Sequence, residues 1–356
     1  MKQLYLHMGM PKTGTTSLQH FLQNKREALE KAGIGFYAPS FFDKARYQNA
    51  NGAFLCDLLR RELRGTFLQL QEENYRKELF CLRDYARRFD RLILSEELFW
   101  MLDAKGPRKW ERLSQILAEY LGDAFAVRPV IYLRRQDLWA FSWWKEAAYL
   151  PNERACGFSE SLDCLTESGY MDYDGFLRDL EEVFGQSSLI VRIYDRRLFP
   201  EGSIEKDFLA SLQIPWQEAF VLPDTIINPS LTADAAQACL LIKQSRQGRV
   251  PEKDLLPGNY REAARLFSRM FPEEKPLFPM EEAARKAFLE QFATGNQRIS
   301  DRYFRGRPLF DAALEPDELW QPDPLRDKEN SRLIQKLAQA KSGARLWLFE
   351  YLQGKK

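Results

Sequence analysis

A glycine-rich segment near the start of the chain carries residue types that could bind an anion. It follows an apolar run at residues 4–8, and apolar residues at helical spacing follow it, so the sequence predicts a buried strand, a tight turn and a helix. The first N–H groups of a helix have no helical partners and lie at the positive end of the helix dipole. Such a turn is therefore suited to hold a phosphate group. Its residues are Gly9, Met10, Pro11, Lys12, Thr13, Gly14, Thr15, Thr16 and Ser17.

The position of the lysine in this turn separates it from the usual nucleotide-binding loop. Gly9 and Gly14 have the G-x-x-x-x-G spacing of a P-loop, but Thr15 stands where an ATPase or GTPase has its lysine. The lysine is Lys12, inside the turn. A P-loop enzyme also pairs its loop with a Mg²⁺-binding Asp, and no clean strand-ending Asp follows here. The pattern favours a nucleotide with one phosphate group at this point.

Two adjacent acids, Glu96 and Glu97, follow a predicted strand at residues 91–95. Open α/β sheets bind their ligands at the carboxyl ends of strands, so either acid could serve as a general base there. One of them could instead cap the following helix, since acids favour a first helical turn. His7 and His20 are the only histidines of the chain, so the candidate bases are few.

A second candidate phosphate site follows the predicted strand at residues 127–133. Arg134 comes directly after this strand, and Ser142 follows eight residues later, about two turns into a predicted helix. A guanidinium binds phosphate oxygens in a planar fork, and a hydroxyl on a helix supplies one more donor.

The run Pro-Lys-Thr-Gly-Thr-Thr-Ser-Leu-Gln at residues 11–19 resembles the loop of sulfotransferases that binds the 5′-phosphosulfate of 3′-phosphoadenosine 5′-phosphosulfate (PAPS). The Arg134 and Ser142 spacing is similar to the pattern that grips the 3′-phosphate in that family. Asp137 stands three positions after Arg134, whereas many eukaryotic members have Asp four positions after. The resemblance covers roughly residues 3 to 310, with specific motifs only in the first 145.

This resemblance implies a PAPS-dependent sulfotransferase and assigns roles to the residues above. Lys12 would bind the oxygen that bridges phosphorus and sulfur, and Arg134 and Ser142 would hold the 3′-phosphate. The 5′-phosphate would be held by the loop, which comprises Pro11, Lys12, Thr13, Gly14, Thr15, Thr16 and Ser17. The acceptor proton would go to a residue after the third strand, and the family pattern S-x-E favours Glu97. The candidate catalytic residues are therefore Lys12, Glu97, Glu96 and His7, and no metal is expected.

Two alternatives remain at this point. A P-loop kinase would use ATP and Mg²⁺ on the same sheet, and a non-catalytic nucleotide-binding protein would keep the loop but lack a base. The expected acceptor is a hydroxyl on a glycan, a lipid or a small molecule. Arg298 and Arg302 are either late phosphate contacts or helix-end charges, and Arg60, Arg61 and Arg64 either form a solvated face or meet an anionic acceptor.

Composition restricts the class of protein. The chain has 356 residues, 45% of them hydrophobic, and a net charge of +1, which argues against a global role at nucleic acids or membrane surfaces. Its five cysteines include no C-x-x-C pair, so neither a disulfide framework nor a zinc site is suggested. The sequence shows neither a signal peptide nor an apolar stretch long enough for a transmembrane helix, so we expect a cytoplasmic protein.

The expected fold is α/β, with a P-loop-like parallel sheet flanked by helices. Strands are predicted at residues 4–8, 34–37, 91–95, 127–133 and 188–194, and an amphipathic helix at residues 173–184. One domain is predicted over residues 1–310, with a helical insertion at about 43–89. A Pro-rich segment and helical extension are predicted over residues 311–356, which we expect to dock onto the domain or onto a second subunit in a homo-oligomer.

Overall fold

A computed structural model describes most of the chain. The described residues are 1–41, 50–66, 69–102, 106–148, 150, 156–221, 231–246 and 278–311. The predicted extension beyond residue 311 and the start of the predicted insertion at residues 43–49 lie outside the described residues.

The chain divides into two compact units that alternate along the sequence. The first unit comprises Met1–Gln136, Gly169–Asn228 and Gln291–Ala312. The second unit comprises Asp137–Ser168, Pro229–Glu290 and Ala313–Lys356. The single domain expected over residues 1–310 stays a prediction.

A five-stranded parallel sheet forms the centre of the first unit. Its strands are β1 (Lys2–His7), β2 (Ile34–Phe36), β3 (Arg91–Ser95), β4 (Phe125–Leu133) and β5 (Ile190–Ile193). Their order across the sheet is β2-β3-β1-β4-β5, and all neighbouring pairs are parallel. The predicted fold class, an α/β fold with a P-loop-like parallel sheet flanked by helices, is confirmed.

The strand bounds differ from the predicted ones where pairing decides them. β1 begins at Lys2 because this residue already pairs with Phe125 of β4. β5 is shorter than predicted because it pairs at the sheet edge with the last four residues of β4 only.

Twelve α-helices lie in the described ranges, eight of them before β5 and four after it. They are α1 (Thr15–Asn24), α2 (Arg26–Lys31), α3 (Ala53–Arg64), α4 (Gln69–Ala86), α5 (Arg108–Leu121), α6 (Gln136–Ala147), α7 (Phe158–Ser168), α8 (Tyr173–Phe184), α9 (Ile204–Ser211), α10 (Ala233–Arg246), α11 (Glu282–Glu290) and α12 (Ala293–Tyr303). A short 3-10 helix, Glu97–Met101, follows β3. In the part of the chain that the structure describes, no helix is long and apolar enough to cross a membrane.

The core of the first unit joins α1 to the central sheet. Leu18, Phe21 and Leu22 of α1 are fully buried and belong to one apolar cluster with residues of β1, β3, β4 and α9. Fully burying one such side chain contributes about 1.5–3 kcal/mol. Residues Leu4 and Leu6, which alternate with the clustered Tyr5 along β1, are also fully buried. β1 is therefore covered on both faces, as is usual for a parallel sheet.

The second unit has an aromatic core and a buried ion pair. Phe141 and Trp144 of α6 contact Phe158 of α7. The Arg285 guanidinium donates from Nε to Asp137 at 2.6 Å, and both side chains are almost fully buried. Asp137, which lies between Arg134 and Ser142 in sequence, is thus engaged in an ion pair within the second unit.

Candidate functional site

The turn between β1 and α1 has an unusual backbone. Lys12 has φ 68° and Gly14 has φ 75°, both in the left-handed region. Thr13 Oγ1 donates to the Met10 carbonyl at 2.5 Å, which holds the turn together. The first helical bond of α1 runs from Leu18 N to the Gly14 carbonyl. The amides of the three residues before Leu18 lie in the first turn of α1, where no carbonyl of the helix precedes them as an acceptor. They form a set of donors suited to an anion.

The two glycines of the turn are required for different reasons. A Cβ at Gly9 would lie 2.7 Å from His7 Nε2 and 2.8 Å from Thr15 Cγ2. A Cβ at Gly14 would lie 2.9 Å from Ile204 Cδ1 and 3.0 Å from the Tyr194 ring, and its positive φ disfavours any side chain. The G-x-x-x-x-G spacing therefore marks two places where neighbouring side chains press against the turn.

Arg134, which follows β4, is joined to this turn. Its Nη1 donates to the Lys12 carbonyl at 2.9 Å, and its guanidinium carbon lies 5.5 Å from the centre of the Tyr194 ring. Tyr173 Oη in turn donates to the Arg134 carbonyl at 2.8 Å. Both the backbone and the side chain of Arg134 are thus fixed beside the loop.

The hydroxyls of the loop differ in their surroundings. Thr15 is buried and Thr16 is exposed at the start of α1. Ser17 Oγ donates to Glu205 Oε1 at 2.6 Å, and Ser203 Oγ donates to Glu205 Oε2 at 2.7 Å. The Ser17 hydroxyl proton is therefore directed to Glu205.

The structure distinguishes the two acids after β3. Glu96 is 3% exposed, and its Oε1 accepts from Leu98 N at 2.8 Å, so it caps the 3-10 helix. Its own amide donates to the His7 carbonyl at 2.9 Å. Glu97 is only half-buried, and its Oε2 accepts from Gln19 Nε2 at 2.7 Å. The capping alternative that the sequence left open thus applies to Glu96, and Glu97 keeps the more accessible carboxylate.

His7 lies at the end of β1, fully buried beneath the turn. Burial lowers the pKa of His7 to about 3, so its imidazole is neutral at neutral pH. Its Nδ1 lies 2.8 Å from Ser95 Oγ, and its Nε2 has no hydrogen-bond partner among the described residues. His7 therefore supports the turn from within the core.

The remaining predicted residues have the following places. Ser142 lies on α6 in the second unit and is buried, and Pro11 is buried in the loop. Arg302 donates to Asp174 and to Glu181, and Arg298 Nη1 lies 3.4 Å from Asp174 Oδ2. These ion pairs with α8 favour a structural role for the two late arginines over a phosphate contact.

Three residues near the loop were not anticipated from the sequence. Gln19 ended the motif that carried the resemblance but had no assigned role, although it follows Thr15 by one helical turn. Tyr194 and Glu205 come from distant parts of the chain; Glu205 is 188 positions from Ser17. A local pattern could have indicated Gln19, but not the other two.

Across the described ranges, no group of three or more His, Cys, Asp or Glu side chains is arranged to hold a metal ion.

Comparisons with known proteins include a similarity in sequence and a similarity in structure. A protein of Archaeoglobus fulgidus, described only as an uncharacterized protein, is 30% identical over 249 residues, which are 68% of this chain and 62% of that protein. The crystal structure of a sulfotransferase from Alicyclobacillus acidocaldarius matches 74% of this chain and 99% of its own, with 15% identity and a TM-score of 0.37. No protein-family model matches the chain.

Burial of His7 predicts a specific pH dependence of stability. Its pKa is 6.5 when solvated and about 3 in the native protein, so between these values the unfolded chain binds a proton that the native chain does not. The free energy of unfolding is therefore highest above about pH 6.5 and falls towards pH 3. We expect His7→Gln to reduce the slope of this loss by up to about 1.4 kcal/mol per pH unit, measured by urea unfolding. His20→Gln is the matched control, and an equal change of slope there would contradict the assignment to His7.

The left-handed backbone of Lys12 predicts that glycine at this position gives a more stable protein than alanine does. A non-glycine residue at positive φ costs about 1–2 kcal/mol, and glycine avoids this cost but loses more entropy on folding. We expect Lys12→Gly to be more stable than Lys12→Ala by about 0.5–1 kcal/mol in urea unfolding, the reverse of the usual order. A more stable Lys12→Ala would show that the turn is not strained at this residue.

Proposed function

We propose that the chain transfers a sulfonyl group from PAPS to the hydroxyl of an acceptor. The observation that carries this proposal is the left-handed backbone of Lys12 in the turn before α1, with its carbonyl bound by Arg134. Strained residues persist where the surrounding structure holds them and cluster at functional sites. Glycine would relieve the strain at this position, so the presence of lysine is best explained by a need for its ammonium group.

The loop suits the phosphosulfate end of the donor. The amides at the start of α1 would hold the 5′-phosphate, together with the Thr15 and Thr16 hydroxyls. Lys12 would bind the oxygen that bridges phosphorus and sulfur and offset the charge that develops there. Arg134 would bind the 3′-phosphate, since a guanidinium binds phosphate oxygens in a planar fork and Arg134 is held beside the loop by its bond to the Lys12 carbonyl. Ser142 is assigned to the same phosphate by the sequence pattern alone.

Glu97 is the proposed general base. Its half-buried carboxylate hydrogen-bonds to the helix that begins at the loop, which supports a place near the transferred group. Glu96 is occupied as a cap, and His7 is fully buried with a pKa of about 3, which makes it a poor proton acceptor at neutral pH.

The proposed reaction is a single displacement at sulfur. The acceptor oxygen forms a bond to sulfur while the bond from sulfur to the bridging oxygen breaks. Glu97 takes the proton of the acceptor hydroxyl, and Lys12 stabilises the phosphate oxygen that leaves. The products are a sulfate ester and 3′-phosphoadenosine 5′-phosphate. The proposed acceptor is a glycan, a lipid or another small hydroxyl compound, and the proposed compartment is the cytoplasm, where PAPS is made.

Ligand-induced stabilisation tests the donor. We expect 3′-phosphoadenosine 5′-phosphate to raise the melting temperature without added metal, because it binds only the native state. Arg134→Ala should weaken this binding by about 1.5–3 kcal/mol, the value of a hydrogen bond to a charged group. The effect of Arg134→Ala on binding is measured as the rise in melting temperature that the ligand causes in the variant. The free variant cannot serve for this, because loss of the bond to the Lys12 carbonyl also lowers its melting temperature. Stronger stabilisation by ATP with Mg²⁺ would favour the P-loop kinase.

Single-turnover transfer from PAPS tests the base. Removal of a general base costs about 10²–10⁴ in rate, so Glu97→Gln should lose this factor while its affinity for PAPS stays near wild type. The matched control is Glu96→Gln, which changes the neighbouring carboxylate and should lose much less. A Glu97→Gln variant of normal rate, together with a slow His7→Ala variant, would assign the proton to the histidine.

A further inference from the structure

A chain of hydrogen bonds connects Glu97 to the floor of the loop. Gln19 Nε2 lies 2.7 Å from Glu97 Oε2 and 3.3 Å from Ser95 Oγ, and Ser95 Oγ lies 2.8 Å from His7 Nδ1. Gln19 is 5% exposed, and Ser95 and His7 are fully buried. The members of this chain come from α1, from the 3-10 helix after β3, and from β3 and β1.

The chemistry of Glu97 fixes the direction of these bonds. An ionised carboxylate only accepts hydrogen bonds, so the NH₂ group of Gln19, and not its carbonyl oxygen, must face Glu97. The same NH₂ group has a second N–H, which donates to Ser95 Oγ. The single hydroxyl proton of Ser95 can then be donated to Nδ1 of His7, which is neutral at neutral pH. The amide and hydroxyl donors of this arrangement thus have acceptors, and the proton of the neutral imidazole lies on His7 Nε2, which has no hydrogen-bond partner among the described residues.

Gln19 also lies on the side of α1 that faces the loop. It follows Thr15 by four residues, so the two side chains share one face of the helix. A helical side chain leans towards the N-terminus of its helix, which directs the Gln19 amide towards the first turn. Thr15 Cγ2 would lie 2.8 Å from a Cβ at Gly9. The Glu97 carboxylate is therefore bound to the face of α1 that also carries Thr15.

We propose that Gln19 is a positioning residue that holds the Glu97 carboxylate towards the acceptor hydroxyl. This inference rests on the proposed sulfonyl transfer, in which Glu97 is the base. Gln19 touches neither the donor nor the acceptor in this role and acts through Glu97 alone.

The test is a double-mutant cycle in single-turnover transfer from PAPS. Gln19→Leu removes both N–H donors at nearly constant size, and we expect it to lower the rate about 10- to 100-fold, because a displaced base loses its geometry. Its affinity for PAPS should stay near wild type. In the Glu97→Gln background the same change should alter the rate by less than about twofold, since two residues that act as a unit are not additive. Gln23→Leu, one turn further along α1, is the matched control.

A wild-type rate for Gln19→Leu, or an equal loss in both backgrounds, would overturn the proposal. A second double-mutant cycle does not require transfer activity. It compares the melting temperatures of wild type, Gln19→Leu, Glu97→Ala and the double variant. If Gln19 holds Glu97, the double variant loses less than the sum of the single losses, and additive losses overturn the proposal. A wild-type protein that transfers nothing from PAPS would refute the proposed function, and the second cycle would still decide whether Gln19 holds Glu97.

Discussion

The turn between β1 and α1 depends on two residues with positive φ, Lys12 and Gly14, and the rest of the site is arranged around this constraint. A left-handed lysine costs about 1–2 kcal/mol, so other contacts must hold it. The Thr13 bond to Met10 acts within the turn, and the Arg134 bond to the Lys12 carbonyl acts from the end of β4. A net contribution of about 1.5–3 kcal/mol from the charged bond is enough to offset the strain. The conformation of the loop is thus coupled to the neighbouring strand.

The core beneath the turn is polar, which is costly unless its groups are paired. His7 Nδ1 is hydrogen-bonded to Ser95 Oγ. The backbone amide of Ser95 is also paired, because it donates to Asn51 Oδ1 at 2.8 Å. Asn51 Nδ2 donates to the carbonyls of Tyr37 and Ile93. These bonds join β1, β3 and the residues after β2 at the carboxyl end of the sheet. The floor of the loop is thus tied to three segments of the first unit, and His7 Nε2 is the atom of this network without a hydrogen-bond partner among the described residues.

Local patterns predicted the elements that local interactions determine. The predicted bounds of β3 and of α8 agree with the structure, because an apolar run and an amphipathic period define them. The glycine-rich turn was also readable, since Gly9 and Gly14 are close in sequence. Glu205 contacts Ser17 from 188 positions away, and Arg134 contacts Lys12 from 122 positions away. No local pattern indicates such contacts, because folding alone brings these residues together. The sequence likewise could not tell which of Glu96 and Glu97 caps the 3-10 helix, because both acids suit a first turn.

A glutamine at position 19 suits the proposed role of Glu97 as the base. A cationic side chain there would stabilise the ionised carboxylate more strongly and weaken it as a proton acceptor. A neutral amide can fix the direction of Glu97 with one N–H and anchor itself to Ser95 with the other. Its hydrogen bond stabilises the carboxylate less than a full positive charge would. In the proposed reaction, Gln19 therefore orients Glu97 without adding a positive charge beside it.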